Sequence, residues 1–202
     1  SEPLMWFVLD LTPDVDALFD NMKHTCRTNI RKAEKHALTV KATEDLDFAD
    51  EYYRQYCAVM RRHALAAAFG PENVKRMICA MLPTGNLLML RAQIPGGAGV
   101  ATGLFLQQNG ISVFWGAASW HEYQSFRPNE FLAWEAVKML KRQGIHTLHF
   151  GGHAGQYKEK FGCRDAQMVR ISLAGNSVLG RLIDLAKSPK NEQYRNWALR
   201  KL

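Results

Sequence analysis

The feature that most constrains this fold is a run of three strand-like segments in the middle of the chain. At residues 86–94, 99–108 and 111–119 the period of the apolar residues changes from helix-like to strand-like. The sequence P-G-G-A (95–98) joins the first two segments, and Asn109-Gly110 joins the last two. An Asn-Gly pair between two strand-like segments is a strong signal for a tight hairpin. The pattern therefore predicts an antiparallel meander of three strands.

Helices are predicted on both sides of this meander. One begins at Thr12-Pro13, where a hydroxyl cap precedes a proline in the first turn. Apolar spacing predicts further helices over residues 46–69, 72–82 and 129–142. Additional strands are predicted over residues 5–11, 38–42, 146–150 and 168–173, followed from about residue 176 by a basic, mostly helical tail. This order predicts an α+β fold with a central mixed, mostly antiparallel sheet flanked by helices.

Composition indicates one globular domain that spans residues 1–202. Apolar residues make up 47% of the chain and charged residues 22%, as in ordinary globular proteins. The net charge of +7 is compatible with nucleic acid, anionic lipid or a phosphorylated ligand, and it does not choose among them. The four cysteines form no C-x-x-C pair, and the sequence shows no signal peptide or membrane-length apolar run. We therefore expect a cytoplasmic location.

A basic ridge follows one side of the first helical region. Lys23, Arg27, Arg31 and Lys35 are spaced by four residues, beside a stripe of apolar residues. Such a row of cations is either a solvated helix flank or a surface that follows the phosphates of a nucleic acid.

The stretch over residues 124–162 combines a polar loop, a helix, a strand that ends in paired glycines, and a short turn with two lysines. Together with the helices and the meander before it, this order resembles the GNAT acyltransferase fold. In that fold the loop before the helix normally wraps the pyrophosphate of coenzyme A with the signature Q/R-x-x-G-x-G/A. Here the loop reads Q-S-F-R-P-N (124–129), so Arg127 and Asn129 replace small residues and Pro128 removes a donor.

Three stretches resemble the Fem-type aminoacyltransferases, the FemABX-like branch of the GNAT superfamily. They are R-T-N-I-R-K-A-E-K-H (27–36), R-P-N-E-F-L-A-W-E-A-V (127–137), and F-G-G (150–152) followed by Y-K-E-K-F-G (157–162). The last one is similar to the family's F-K-x-x-F-G element. The resemblance covers nearly all of this chain and corresponds to the second of two GNAT-like domains in full-length members. We therefore expect a domain of a longer protein, with a companion GNAT-like domain outside this sequence.

The resemblance implies roles for several residues. Lys158 would lie near the acyl carbonyl or the tRNA terminus and stabilise a developing oxyanion, with Lys160 as an alternative for that role. Tyr157 would flank the site. Arg127 would bind a phosphate or carboxylate, next to Asn129 in the same loop.

Two further candidates come from the residues themselves. Glu135 shares a helix face with apolar residues, so it is either a partly buried general base or one half of a structural ion pair. His149 and His153 bracket the paired glycines. Neither shows metal-ligand spacing to other residues, so His153 is a candidate for substrate binding or proton transfer and no metal site is predicted.

These features predict an enzyme that moves an aminoacyl group from aminoacyl-tRNA to an amine on a peptide or a peptidoglycan precursor, without a bound cofactor. Two alternatives stay open. One is an N-acyltransferase that uses acyl-CoA and acts on a sugar or peptide. The other is a non-catalytic module that binds tRNA or a protein partner.

Overall fold

The computed structural model describes residues 2–152 and 156–170 of the 202-residue chain. Its strands are β1 (Glu2–Asp10), β2 (Thr39–Ala42), β3 (Leu87–Gln93), β4 (Gly99–Gln108), β5 (Ile111–Ser119), β6 (Thr147–Gly152) and β7 (Arg164–Arg170). Its helices are α1 (Val15–Asp20), α2 (His24–Lys35), α3 (Phe48–Arg62), α4 (Pro71–Met81), α5 (Pro128–Arg142) and α6 (Gln156–Glu159), with short 3-10 turns at Leu82–Thr84 and His121–Phe126.

The described strands form one seven-stranded sheet in the order β2-β3-β4-β5-β6-β1-β7. The predicted meander is confirmed, because β3, β4 and β5 pair antiparallel in sequence order. Asn109 and Gly110 both take positive φ, 50° and 75°, as a two-residue hairpin turn requires. The β5–β6 pair is parallel, whereas β1 pairs antiparallel with both β6 and β7. The sheet is therefore mixed and mostly antiparallel, as predicted.

Both faces of the sheet are covered by helices. Along β3, Leu88 and Leu90 point to the face packed by α1, α2 and α5, whereas Leu87 and Met89 point to the face packed by α3 and α4. Successive side chains of a strand alternate between faces, so a strand buried on both sides is continuously apolar. The turn that carries Lys158 packs through Phe161 against the face with α2 and α5.

The predicted single helix after β1 is wrong, because two helices occupy that region. Asp14, rather than Thr12, caps α1 by accepting the Ala17 N–H at 2.7 Å. The Thr12 hydroxyl is instead 2.7 Å from the Asp10 carboxylate. The chain then turns, and α2 begins as a separate helix at His24. The basic ridge therefore lies on α2 and on the residue before it, and not on α1.

Two other boundaries differ from the sequence pattern. The predicted helix over residues 46–69 ends at Arg62, and Ala64 follows it in the left-handed region with φ 54°. Strand β7 begins at Arg164, earlier than the predicted residue 168. The end of that predicted strand and the basic tail from about residue 176 lie outside the described residues.

Candidate active site

The sheet opens between its two parallel strands. Pairing of β5 with β6 stops at Val113↔His149, although β5 continues to Ser119 and β6 to Gly152. A register shift opposite Leu104 and Phe105 places an extra residue in β5 directly beyond the paired part. Bulges bend a strand and increase its twist. The two strands therefore separate toward their carboxyl ends.

Lys158 is held at the separated end of β6. Its ammonium donates to the Gly151 carbonyl at 3.1 Å and lies 5.8 Å from the ring centroid of Phe7. Burial lowers the pKa of this ammonium below its ordinary value, while the neighbouring Cys163 opposes the shift. A half-buried ammonium with three donors can bind an oxygen atom in a site from which water is partly excluded.

The turn that carries Lys158 is anchored on the junction between α1 and α2. Phe161 is fully buried, with its ring centroid 5.4 Å from that of Phe150. At Gly162, with φ 77°, a Cβ would lie 2.7 Å from the Asn21 side chain, so any other residue would be strained there. The Lys23 N–H donates to the Lys160 carbonyl at 2.9 Å. These contacts position the lysine turn from a distant part of the sequence.

The loop before α5 presents few backbone donors. Gln124 is tied to the end of β5 by its side chain, which donates to the Ser119 hydroxyl at 2.6 Å. Arg127 takes a left-handed conformation with φ 58°, and its N–H donates to the Gln124 carbonyl at 3.1 Å. Pro128, the first residue of α5, has no N–H. The Arg127 side chain is exposed beside this helix N-terminus, and Asn129 is partly buried in its first turn.

Glu130, rather than Glu135, is the buried carboxylate of α5. Glu130 is 8% exposed and accepts a hydrogen bond from Asn29 of α2 at 2.8 Å. Glu135 forms an ion pair with Lys138 at 2.5 Å along its own helix. A structural ion pair is one of the two roles that the sequence left open for Glu135. The sequence pattern did not single out Glu130, although it stands in the R-P-N-E stretch. Its burial depends on packing against α2, which the sequence of α5 does not reveal.

Two members of the basic ridge have partners within the protein. Lys23 forms an ion pair with Glu159 of α6 at 3.1 Å, in an exposed position. Arg27 donates to the carbonyl of Asp20 at 2.5 Å and to that of Met22 at 2.7 Å. The Arg27 guanidinium therefore satisfies carbonyls at the end of α1, a role in stability that helical spacing alone does not predict.

The other two members lie further along α2. The Arg31 guanidinium lies 5.4 Å from the ring centroid of Phe19, and its side chain is exposed. Lys35 is exposed in the last turn of the helix. Arg31 and Lys35 are thus better placed than Arg27 to contact an external phosphate.

Hydrogen bonds join the lysine turn to the residue before α2, and the start of α5 to the middle of α2. Glu135 and Lys35 lie further along α5 and α2. His153 lies outside the described residues, and Tyr157 is described only as a backbone position in α6. Within residues 2–152 and 156–170, no cluster of three or more His, Cys, Asp or Glu side chains could hold a metal ion.

A mixed sheet that splits between its two parallel strands is the framework of a GNAT-fold acyltransferase. The sequence matches the family described as acetyltransferase (GNAT) domain over residues 20–159, more than half of the chain. The chain therefore belongs to this family of acyltransferases. A comparison with curated protein sequences gives no significant match.

Several solved structures share this fold. FemX superposes with a TM-score of 0.74 at 13% identity, over 80% of this chain and 59% of that one. The C-terminal domain of a protein described as a lysylphosphatidylglycerol synthetase from Agrobacterium fabrum gives 0.57 at 11%, over 82% of this chain and 59% of that one. A protein of unknown function from Bacteroides thetaiotaomicron gives 0.53 at 11%, over 78% and 55%.

The predicted Fem-like GNAT fold is thus confirmed. This chain spans less than two thirds of the length of each of these solved chains. None of the helices in the described part of the chain has both the length and the apolar character needed to cross a bilayer.

Proposed function

We propose that this domain transfers an aminoacyl group from aminoacyl-tRNA to an amine on a peptide or peptidoglycan precursor in the cytoplasm. The observation that carries the proposal is the half-buried Lys158 ammonium at the opening between β5 and β6. In this reaction the acceptor nitrogen forms a bond to the carbonyl carbon, and the ester bond to the ribose oxygen breaks. One proton of the amine ends on that ribose oxygen.

Lys158 would act on the charge that develops during this step. The carbonyl oxygen becomes negative when the amine attacks, and a fixed ammonium in a partly dehydrated site stabilises that charge more than the neutral ester. Because the donor is already an activated ester, the step needs positioning and charge stabilisation more than a protein nucleophile. Tyr157, Glu135 and His153 stay predicted contributors to catalysis or substrate binding.

The loop before α5 favours tRNA over coenzyme A as the donor. A pyrophosphate cradle uses free backbone N–H groups at a helix start. Here the Arg127 N–H is already bonded to Gln124, and Pro128 has none. The exposed Arg127 side chain could instead bind a phosphate or carboxylate as a bidentate donor, and Asn129 and Lys160 stay predicted substrate-binding residues.

A donor test decides between the two enzyme proposals. Purified protein is offered charged tRNA or acyl-CoA, each carrying a labelled acyl group, together with an amine-bearing peptidoglycan precursor. We expect label in the acceptor only when charged tRNA is the donor. Transfer from acyl-CoA alone would replace the tRNA proposal with the acyl-CoA-dependent alternative on a sugar or peptide, which the family's acetyltransferase description favours. Binding of tRNA without transfer from either donor would favour the non-catalytic module.

The basic ridge gives a second prediction about tRNA. We expect Lys35→Ala to lower the slope of log affinity against log salt by about 1, because one phosphate contact is lost.

Arg27→Ala should instead lower the free energy of unfolding by roughly 1–3 kcal/mol, because two carbonyls lose a charged donor. Filter binding across a salt series and urea denaturation measure the two effects.

The matched control for the ridge is Arg61→Ala. Arg61 is an exposed cation of α3, on the opposite face of the sheet. An equal change of slope in Lys35→Ala and Arg61→Ala would mean that the effect is general charge, and the ridge would lose its assigned role.

A further inference from the structure

The indole N–H of Trp6 is a buried donor without a hydrogen-bond acceptor among the described residues. Trp6 lies in β1, where it pairs with Gly152 of β6 on one side and Ala166 of β7 on the other. Its position therefore does not depend on a flexible loop. Buried donors without acceptors are rare because they destabilise the folded state, so each needs an explanation.

The ring of Trp6 lies close to Lys158. A Cβ placed on Gly151 would lie 3.7 Å from the Lys158 ammonium and 3.9 Å from Cζ2 of the Trp6 ring. The ammonium and the indole thus flank the same glycine, on the part of β6 that has separated from β5. Gly151 has φ 85° and no side chain, so no Cβ of its own lies next to either donor.

We propose that the Trp6 indole N–H and the Lys158 ammonium together bind the oxygen of the acyl group that is transferred. The indole nitrogen donates and cannot accept, so its ligand must be an acceptor. A neutral donor beside a cation suits a carbonyl oxygen that turns negative during attack. This assignment rests on the proposed acyl transfer, and it names a second donor that does not depend on which acyl donor is used.

Trp6→Phe is the direct test, because it removes the N–H and keeps an aromatic ring. We expect kcat to fall about 10²-fold with little change in KM, since the donor acts on the developing charge. Trp134→Phe is the matched control. Trp134 is buried against Phe19 on α1 and takes no part in the site, so the same chemical change there should leave kcat unaltered.

A spectroscopic test covers the case in which Trp6→Phe folds poorly. The chain has five tryptophans, so the indole region of an NMR spectrum shows five N–H signals. The probes are a phosphonate analogue of the aminoacyl ester of adenosine and acetonyl-coenzyme A, each at a concentration that fully inhibits transfer. We expect the Trp6 proton to move downfield with the analogue of the true donor, because its N–H then donates a hydrogen bond to an oxygen of the analogue.

The outcomes separate this inference from the proposed donor. A shift with acetonyl-coenzyme A and none with the phosphonate would remove tRNA as donor and support Trp6. If neither analogue moves the Trp6 signal, or if kcat is unchanged in Trp6→Phe, the assignment is overturned. The absence of transfer from either donor would overturn it as well.

Discussion

Lys158→Ala is expected to lower kcat for acyl transfer about 10²- to 10³-fold with little effect on the fold. Loss of one preorganised donor to an oxyanion has an effect of this size in other enzymes. The ammonium also donates a hydrogen bond to the Gly151 carbonyl. Half-burial of its charge opposes that gain, so removal of the side chain should change the free energy of unfolding little. Single-turnover kinetics with bound donor measure the chemical step directly.

The pH dependence of the same step gives a sharper result. Burial lowers the pKa of Lys158 below its ordinary value near 10.5, so activity should fall with rising pH earlier than for an exposed lysine. Lys158→Arg keeps its charge at all accessible pH values. We expect this variant to be slower than the wild type and to lose the alkaline fall in rate.

Two control variants test whether the loss of kcat is specific to Lys158. Lys75→Ala on α4 removes a cation from the other face of the sheet and should leave kcat unaltered. Lys160→Ala tests the neighbouring lysine of the same turn. A larger loss of kcat in Lys160→Ala than in Lys158→Ala would transfer the oxyanion role to Lys160.

Phe161→Ala is expected to lower the free energy of unfolding by about 3–5 kcal/mol. The ring is fully buried and contacts Phe150, so its removal loses apolar burial and leaves a cavity. The lysine turn depends on this anchor, so transfer should also fall in the fraction that stays folded. Urea denaturation followed by circular dichroism gives the change in stability.

The control for this variant is Leu65→Ala. Leu65 is 58% exposed, so the same kind of truncation should change stability by no more than about 0.5 kcal/mol. If Phe161→Ala were as stable as Leu65→Ala, the lysine turn would not be anchored by this ring.

Local patterns predicted the meander and most helices because their causes are local. The Asn109-Gly110 turn sets the pairing of β4 with β5 from Gln108↔Ile111 as far as Phe105↔Phe114. The break between α1 and α2 was missed because apolar spacing continues across it. At this break the Arg27 guanidinium donates to the carbonyl of Asp20, seven residues earlier.

The lysine turn was predicted from a motif, but its surroundings were not. Lys158 stands in a recognisable Y-K-E-K-F-G stretch, whereas Trp6 comes from a strand at the other end of the described chain. Glu130 resembles any helix-start carboxylate until α2 packs against it. The surroundings of these residues are formed by segments that are distant in sequence, and a local sequence pattern contains no information about such contacts.

The position of β1 between β6 and β7 has a consequence for how the protein is made. Both edges of β1 can be paired only after β6 and β7 have been synthesised, whereas β3, β4 and β5 are neighbours in sequence and can pair earlier. Such long-range pairing is slow, because a large loop must close before any contact forms. During synthesis the lysine turn should therefore take shape after the rest of the sheet, and a ribosome-bound chain that stops before β7 should expose β1 to aggregation.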